Sequence, residues 1–108
     1  MGERRIGAPE PDRFQGALFF GASRLRRGEY FAAYRDFLRA SRDARGDDRE
    51  LARALVHLAA AGDKRRRGDA RGSARQLEHA RRRLAPFLPA ARRLDLAALL
   101  DAVEGPQP

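Results

Sequence analysis

Two histidines, His57 and His79, are the only imidazoles in the chain, and each falls inside a helical apolar pattern. Imidazole can ligate zinc or move protons, but neither residue has a carboxylate at a fixed ligand spacing beyond Glu78, next door to His79. That is fewer donors than a structural or catalytic zinc site takes. The sequence contains no cysteine, which removes thiolate nucleophiles, disulfides and Cys-based metal sites. Ser23, Ser41 and Ser73 are the serines, and none sits in a G-x-S-x-G elbow. Ser73 followed by Gln76 instead reads as hydrogen bonding at a helix start. The stretch "GDARGS" lacks the Lys-Ser/Thr ending and the preceding strand of a phosphate-binding loop. No catalytic constellation and no cofactor fingerprint emerge, so the chain reads as a non-enzyme. An enzyme would need a concave pocket joining Tyr34 with His57 or Asp36.

Charge is the other chemical signal. The formal net charge is +8, and the stretch "KRRRGDARGSARQLEHARRR" concentrates basic residues against Asp69 and Glu78. Lys64, Arg65, Arg66, Arg67, Arg71, Arg75 and Arg82 form the candidate basic patch. Guanidinium groups on one surface favour acidic partners through bidentate contacts, and phosphate backbones through counterion release. Two features weaken the nucleic-acid reading. Of 23 basic residues only Lys64 is a lysine, the skew of a G+C-rich coding bias, and the stretch has no aromatic side chain to stack on bases. A solvated basic face fits the same residues.

These residues need helices to position them. At 108 residues the chain fits one domain, given the usual scale of roughly 100 to 200 residues. With 43% hydrophobic and 35% charged residues, it can bury a core. Residues 1–11 hold Pro and Gly without periodicity and read as a flexible lead. A first helix is predicted from Asp12 to Arg27, with Phe14, Ala17, Leu18, Gly21, Ala22 and Leu25 on one stripe and close helix contact at Gly21. The second runs from Glu29 to Ala44 on Tyr30, Ala33, Tyr34, Phe37, Leu38 and Ser41, with Gly46 as its stop. The third opens on a capping box at Asp47 and Glu50 and is apolar nearly all round, hence the most buried. Gly68 and Asp69 break the chain before a fourth helix, Ala70 to Ala85, on Ala70, Ala74, Leu77, Arg81 and Leu84. Pro86 and Pro89 mark a connection, and a short helix follows Asp95. Strand-like alternation is almost absent. "GEYFAAYRDFLRA" and "GDARGSARQLEHA" share a plan of Gly, acid and apolar anchors, as helical hairpins of the tetratricopeptide type do, although their offset is not that repeat's period.

The run "RRGEYFAAYRDFLRAS", with "LARALVHLAAAGDKRRRGDARGSARQLEHARRRLAPF" and "RLDLAALLDAV", resembles the small helical prokaryotic family called domain of unknown function 309, over roughly residues 14–104. The resemblance implies a compact helical bundle without an established activity. It also implies a run His-Glu-x-x-Glu-x-x-Trp, whose positions hold Tyr34, Arg35, Leu38 and Ser41 here. Positions 34, 38 and 41 share one helical face, where the family pattern aims an imidazole and a carboxylate at one point. In this chain the face is either repacked as apolar core or remodelled into a candidate groove of Tyr30, Tyr34, Phe37, Leu38 and Ser41.

The sequence therefore predicts an all-α protein: four main helices and a short fifth over residues 12–104, a tail at 105–108, and helical-hairpin packing. No apolar run is long enough to span a bilayer or to act as a signal peptide, and a cytoplasmic setting is the simplest. The expected role is a protein-interaction or scaffold module, through a partner groove or self-association. Weak, sequence-independent nucleic-acid or phosphate binding through residues 64–83 is the alternative.

Overall fold

A computed structural model describes residues 9–105, the side chains of residues 9–12 excepted. The fold is all-α. Its helices are α1 (Pro9–Arg26), α2 (Tyr30–Asp43), α3 (Gly46–Arg66), α4 (Ala70–Leu84) and α5 (Leu96–Glu104). Each of the first four packs mainly on its neighbour in chain order, and α5 closes the bundle against α1 and α3. Of the expected lead, residues 1–8 lie outside the described residues and the remainder is helical. Residues 106–108 of the expected tail also lie outside.

The turn after α1 and the turn after α3 are the same structure. Gly28 and Gly68 take φ of 80° and 86°, the left-handed conformation that glycine adopts without a Cβ clash. Their amides donate to the Leu25 and Arg65 carbonyls, and the next amides, of Glu29 and Asp69, donate to the Arg24 and Lys64 carbonyls. This pair of bonds is the Schellman cap, and it accounts for the Gly-acid plan shared by the two segments. The Asp69 carboxylate then accepts from the Gly72 amide at 2.8 Å and caps α4. Glu29 is instead gripped by Arg27, whose hydrogen bond holds the Glu29 carboxyl below the usual carboxylate range.

Two aromatic rings of α2 determine how closely the helices approach. Phe37 is fully buried and packs against Gly21 of α1, while Tyr30 packs against Gly62 of α3. A methyl group at either glycine would overlap the ring. Around these contacts Leu18, Leu25, Leu51, Leu55, Leu58, Leu84, Leu96 and Leu99 fill the core. As expected of its composition, α3 is buried along much of its length between α2, α4 and α5. None of the helices among the described residues is long and apolar enough to cross a membrane.

Three local expectations are corrected. Gly46 does not stop α2 but begins α3, because only Ala44 and Arg45 separate the two helices. The capping box of Asp47 and Glu50 is consequently not formed: the N-cap position is Arg45, and Glu50 pairs with Arg83 at 3.3 Å. Asp47 and Asp48 still sit in the first turn of α3, where negative charge complements the helix dipole. The buried stripe of α4 is Gly72, Ser73, Ala80 and Leu84, while Ala70, Ala74 and Arg81 are exposed. A serine can occupy that stripe because its hydroxyl donates to the Ala61 carbonyl at 2.8 Å, a bond between helices rather than within a helix start.

The Pro-flanked connection holds a 3₁₀ turn (Ala85–Phe87), a cis Leu88-Pro89 bond and a small hairpin of β1 (Ala90–Ala91) and β2 (Leu94–Asp95). Strands this short leave no alternation to read. Their turn residues, Arg92 and Arg93, take φ of 50° and 63°, where Asn-Gly would be usual. Asp48 holds Arg92 through two hydrogen bonds of 3.0 and 2.5 Å, which raise the guanidinium pKa above its ordinary value. Gln15 donates to the Arg92 carbonyl at 2.6 Å, and the guanidinium lies 5.0 Å from the Phe14 ring centroid.

Glycine substitutions separate packing from helix propensity. Gly21→Ala and Gly62→Ala should each destabilise by about 1–3 kcal/mol through overpacking against a ring. Gly16, where an added methyl meets nothing, should gain about 0.5–1 kcal/mol as Ala. Urea unfolding of the three variants checks both signs, and a stabilised Gly21→Ala would refute the ring contact.

Candidate functional site

The outer stripe of α3 sits low between α2 and α4, and small Ala60 lies midway along it. The result is a groove of about 460 Å³. Val56, His57, Ala60 and Lys64 form its floor, Phe31 and Tyr34 of α2 one wall, and Gln76 of α4 the other. The Phe31 and Tyr34 rings stack with centroids 6.1 Å apart, and Phe31 is 54% exposed. His57 Nδ1 meets Gln76 Oε1 at 2.7 Å. The His79 ring lies beside that of His57, centroid to centroid 5.2 Å.

The carboxylates near the groove are already engaged. Asp63 pairs with Arg67 at 2.9 Å and Asp69 with Lys64 at 3.8 Å. Among the described residues no three His, Cys, Asp or Glu side chains stand together as a metal site. Tyr34 and His57 do share the groove, as an enzyme would require. However, the partner of the imidazole is a neutral amide, which cannot stabilise an imidazolium as the carboxylate of a catalytic triad does. Asp36 is not part of this surface. It is buried on the α1 side of α2, with Arg24 at 2.6 Å and Arg39 at 3.6 Å.

The five candidate groove residues are not brought together. Tyr34 opens onto the groove, whereas Phe37 is core and Tyr30 is covered by Gly62 and by Arg66, whose guanidinium lies 5.0 Å from its ring centroid. Ser41 is buried and donates to the Leu38 carbonyl at 2.8 Å, and Leu38 is half-buried. The helix face at positions 34, 38 and 41 is therefore divided, open at Tyr34 and sealed at Ser41.

The candidate basic patch is divided as well. Lys64 and Arg67 line the groove but are ion-paired. Arg82 holds Glu78 at 3.1 Å, and Arg66 covers Tyr30. Arg65, Arg71 and Arg75 are exposed and form no ion pair among the described residues. Attention to residues 64–83 misses a second set: Arg35 and Arg42 on α2, Arg49 and Arg53 on α3, all exposed and without an acidic partner among the described residues. Arg35 and Arg42 share a helical stripe with Phe31 and Leu38, and Arg49 and Arg53 with Val56 and Ala60. Reading those spacings on the outward faces would have found them. Comparison of the chain with protein-family models, with curated proteins and with solved structures gives no match.

Side-chain truncation distinguishes the groove wall from the structural bonds around it. Ser73→Ala should lose about 1 kcal/mol, the net worth of an ordinary hydrogen bond. Tyr34→Phe, whose hydroxyl has no partner among the described residues, should stay within about 0.5 kcal/mol of the parent. Chemical denaturation of both variants is the check, and a large loss for Tyr34→Phe would mean that the hydroxyl is structural.

Proposed function

We propose that this chain is a non-enzymatic interaction module whose working surface is the groove over α3. Its partner is a protein segment with an aromatic or aliphatic anchor among acidic side chains. One observation carries the reading: exposed Phe31 and half-buried Tyr34 border an open groove, and the helical stripes that carry Phe31 and Val56 also bear Arg35, Arg42, Arg49 and Arg53, exposed and without acidic partners among the described residues. An apolar anchor surrounded by unsatisfied guanidiniums suits such a segment. Self-association through this face would bring like charges together, which is unfavourable. Kinship with domain of unknown function 309 belongs to the same proposal. It is supported by the all-α fold and by Tyr34, at the motif's histidine position, opening on the groove. So does a reducing, cytoplasmic setting, since a fold without cysteine owes nothing to disulfides.

The surplus of unpaired arginines favours one second reading, binding of nucleic-acid backbones. Arg65, Arg71 and Arg75 would serve it from the α3–α4 turn and α4.

Fluorescence anisotropy with two labelled probes decides between them: a peptide of Asp and Glu flanking one Trp, and an oligothymidylate. The peptide should bind, Ala60→Trp should weaken it by roughly tenfold or more by filling the groove, and Arg71→Glu with Arg75→Glu should leave it nearly unchanged. Tighter binding of the oligothymidylate, steeply salt-dependent, indifferent to Ala60→Trp and abolished by the Arg71→Glu, Arg75→Glu pair, would replace the first reading with the second.

A further inference from the structure

A larger opening, of about 1040 Å³, lies between α1 and the C-terminal half of α2. It is separate from the groove, sharing none of its lining residues. Phe14, Ala17 and Phe20 line one side and Ala40 and Ala44 the other. Phe20 is 64% exposed, a large aromatic surface with little covering it. The two helices run in opposite directions, since Gly21 meets Phe37 and Arg24 meets Asp36. The start of α1 therefore lies beside the end of α2, and the trough has two unlike ends. Ala17, Phe20 and Ala40 make the more apolar end, where the Arg24 guanidinium lies 5.8 Å from the Phe20 ring centroid and is tied to Asp36. At the other stand Arg13 and Arg45, both exposed and neither ion-paired among the described residues.

The remaining charges narrow the ligand. Arg92 also lines the trough but is committed to Asp48, and Arg39 leans on Asp36 at 3.6 Å. Asp43 lies on the rim without a cation partner among the described residues. Arg39 shares Asp36 with Arg24, so the count is made at the Arg13–Arg45 end, where two guanidiniums beside the Asp43 carboxylate leave a local excess of one positive charge, which suits a monoanion better than a phosphate dianion. A guanidinium matches a carboxylate in two parallel hydrogen bonds, and a trough of this kind, apolar with a few polar groups at one end, is the usual form of a small-molecule site.

We propose that this trough binds an amphiphilic carboxylate, a linear acyl chain whose tail lies on Ala17, Phe20 and Ala40 and whose head meets Arg13 and Arg45. The site is independent of the groove over α3 and of the function proposed for it. Gly16 is the convenient probe, because it lines the trough and a Cβ added there meets nothing within 4 Å.

Calorimetric titration of the full chain with sodium dodecanoate, below the concentration at which it forms micelles, tests the proposal. One dodecanoate should bind per chain. Arg13→Ser with Arg45→Ser should weaken it by roughly tenfold or more, Gly16→Trp should abolish it, and Gly16→Ala should retain it. Dodecyltrimethylammonium, with the same tail and the opposite charge, should show no saturable binding. Phe20→Glu, at an exposed position, reads the same loss should Gly16→Trp fail to fold. Ala60→Trp should leave dodecanoate binding intact, so the groove and the trough stand or fall separately. Absence of saturable dodecanoate binding, equal affinity for the cationic amphiphile, or full binding by both Gly16→Trp and Phe20→Glu would overturn the assignment.

Discussion

The arrangement depends on two rings of one helix lying in gaps that only glycine leaves. Phe37 and Tyr30 lie two turns apart on one stripe of α2, and one packs onto Gly21 of α1 while the other packs onto Gly62 of α3. Each glycine gives up roughly 1 kcal/mol of helix propensity relative to alanine, and burial of the aromatic ring more than offsets it. Because the rings reach across the interfaces, they set how closely α1 and α3 approach α2 where the two glycines stand. The core can then be built of leucine and alanine. On the outer face between α2 and α4, exposed Phe31 and half-buried Tyr34 form one wall of the groove.

Charge is distributed by the same packing. Most carboxylates end up beside a cation. Asp36 is buried between Arg24 and Arg39, Asp63 and Asp69 are neutralised at the groove, and Asp48 holds the hairpin turn through Arg92. The excess of arginine is thereby left over on outward stripes, where among the described residues no acidic side chain pairs with it. A net charge of +8 is thus organised: part of it serves as intramolecular clamps, and the rest is displayed on exposed helix faces, with Arg13 and Arg45 at the larger opening. Exposed ion pairs of this kind add little stability individually. Their consequence here is to determine which arginines remain available to a partner.

The helices are legible in the sequence because each combines apolar spacing with a local stop. Gly28, Gly68, Asp69 and Asp95 act through bonds with residues at most five positions away, so local sequence suffices to place them. The same holds for close contact at Gly21, since a glycine inside an amphipathic stripe gives up helix propensity that a close-packed ring restores. The start of α3 departs from expectation because the Asp47 and Glu50 pattern satisfies a capping rule that the two-residue connection to α2 overrides. The buried stripe of α4 departs from it because Ser73 has a partner, the Ala61 carbonyl, that no spacing within α4 reveals. The hairpin of Ala90–Asp95 leaves no signal, being held by Asp48, Gln15 and Phe14 from elements far away in sequence.

For the candidate sites the division is sharper. Residue types alone established an all-helical chain without thiol chemistry, a strong positive charge, and a helix face at Tyr34, Leu38 and Ser41 that carries neither imidazole nor carboxylate. Only tertiary packing decided that Phe37 and Ser41 turn inward while Tyr34 opens onto a groove with His57, and which arginines find acids. Helical periodicity is a property of neighbours along the chain, whereas enclosure and charge pairing depend on what another helix places opposite, and that partner is chosen by the whole fold.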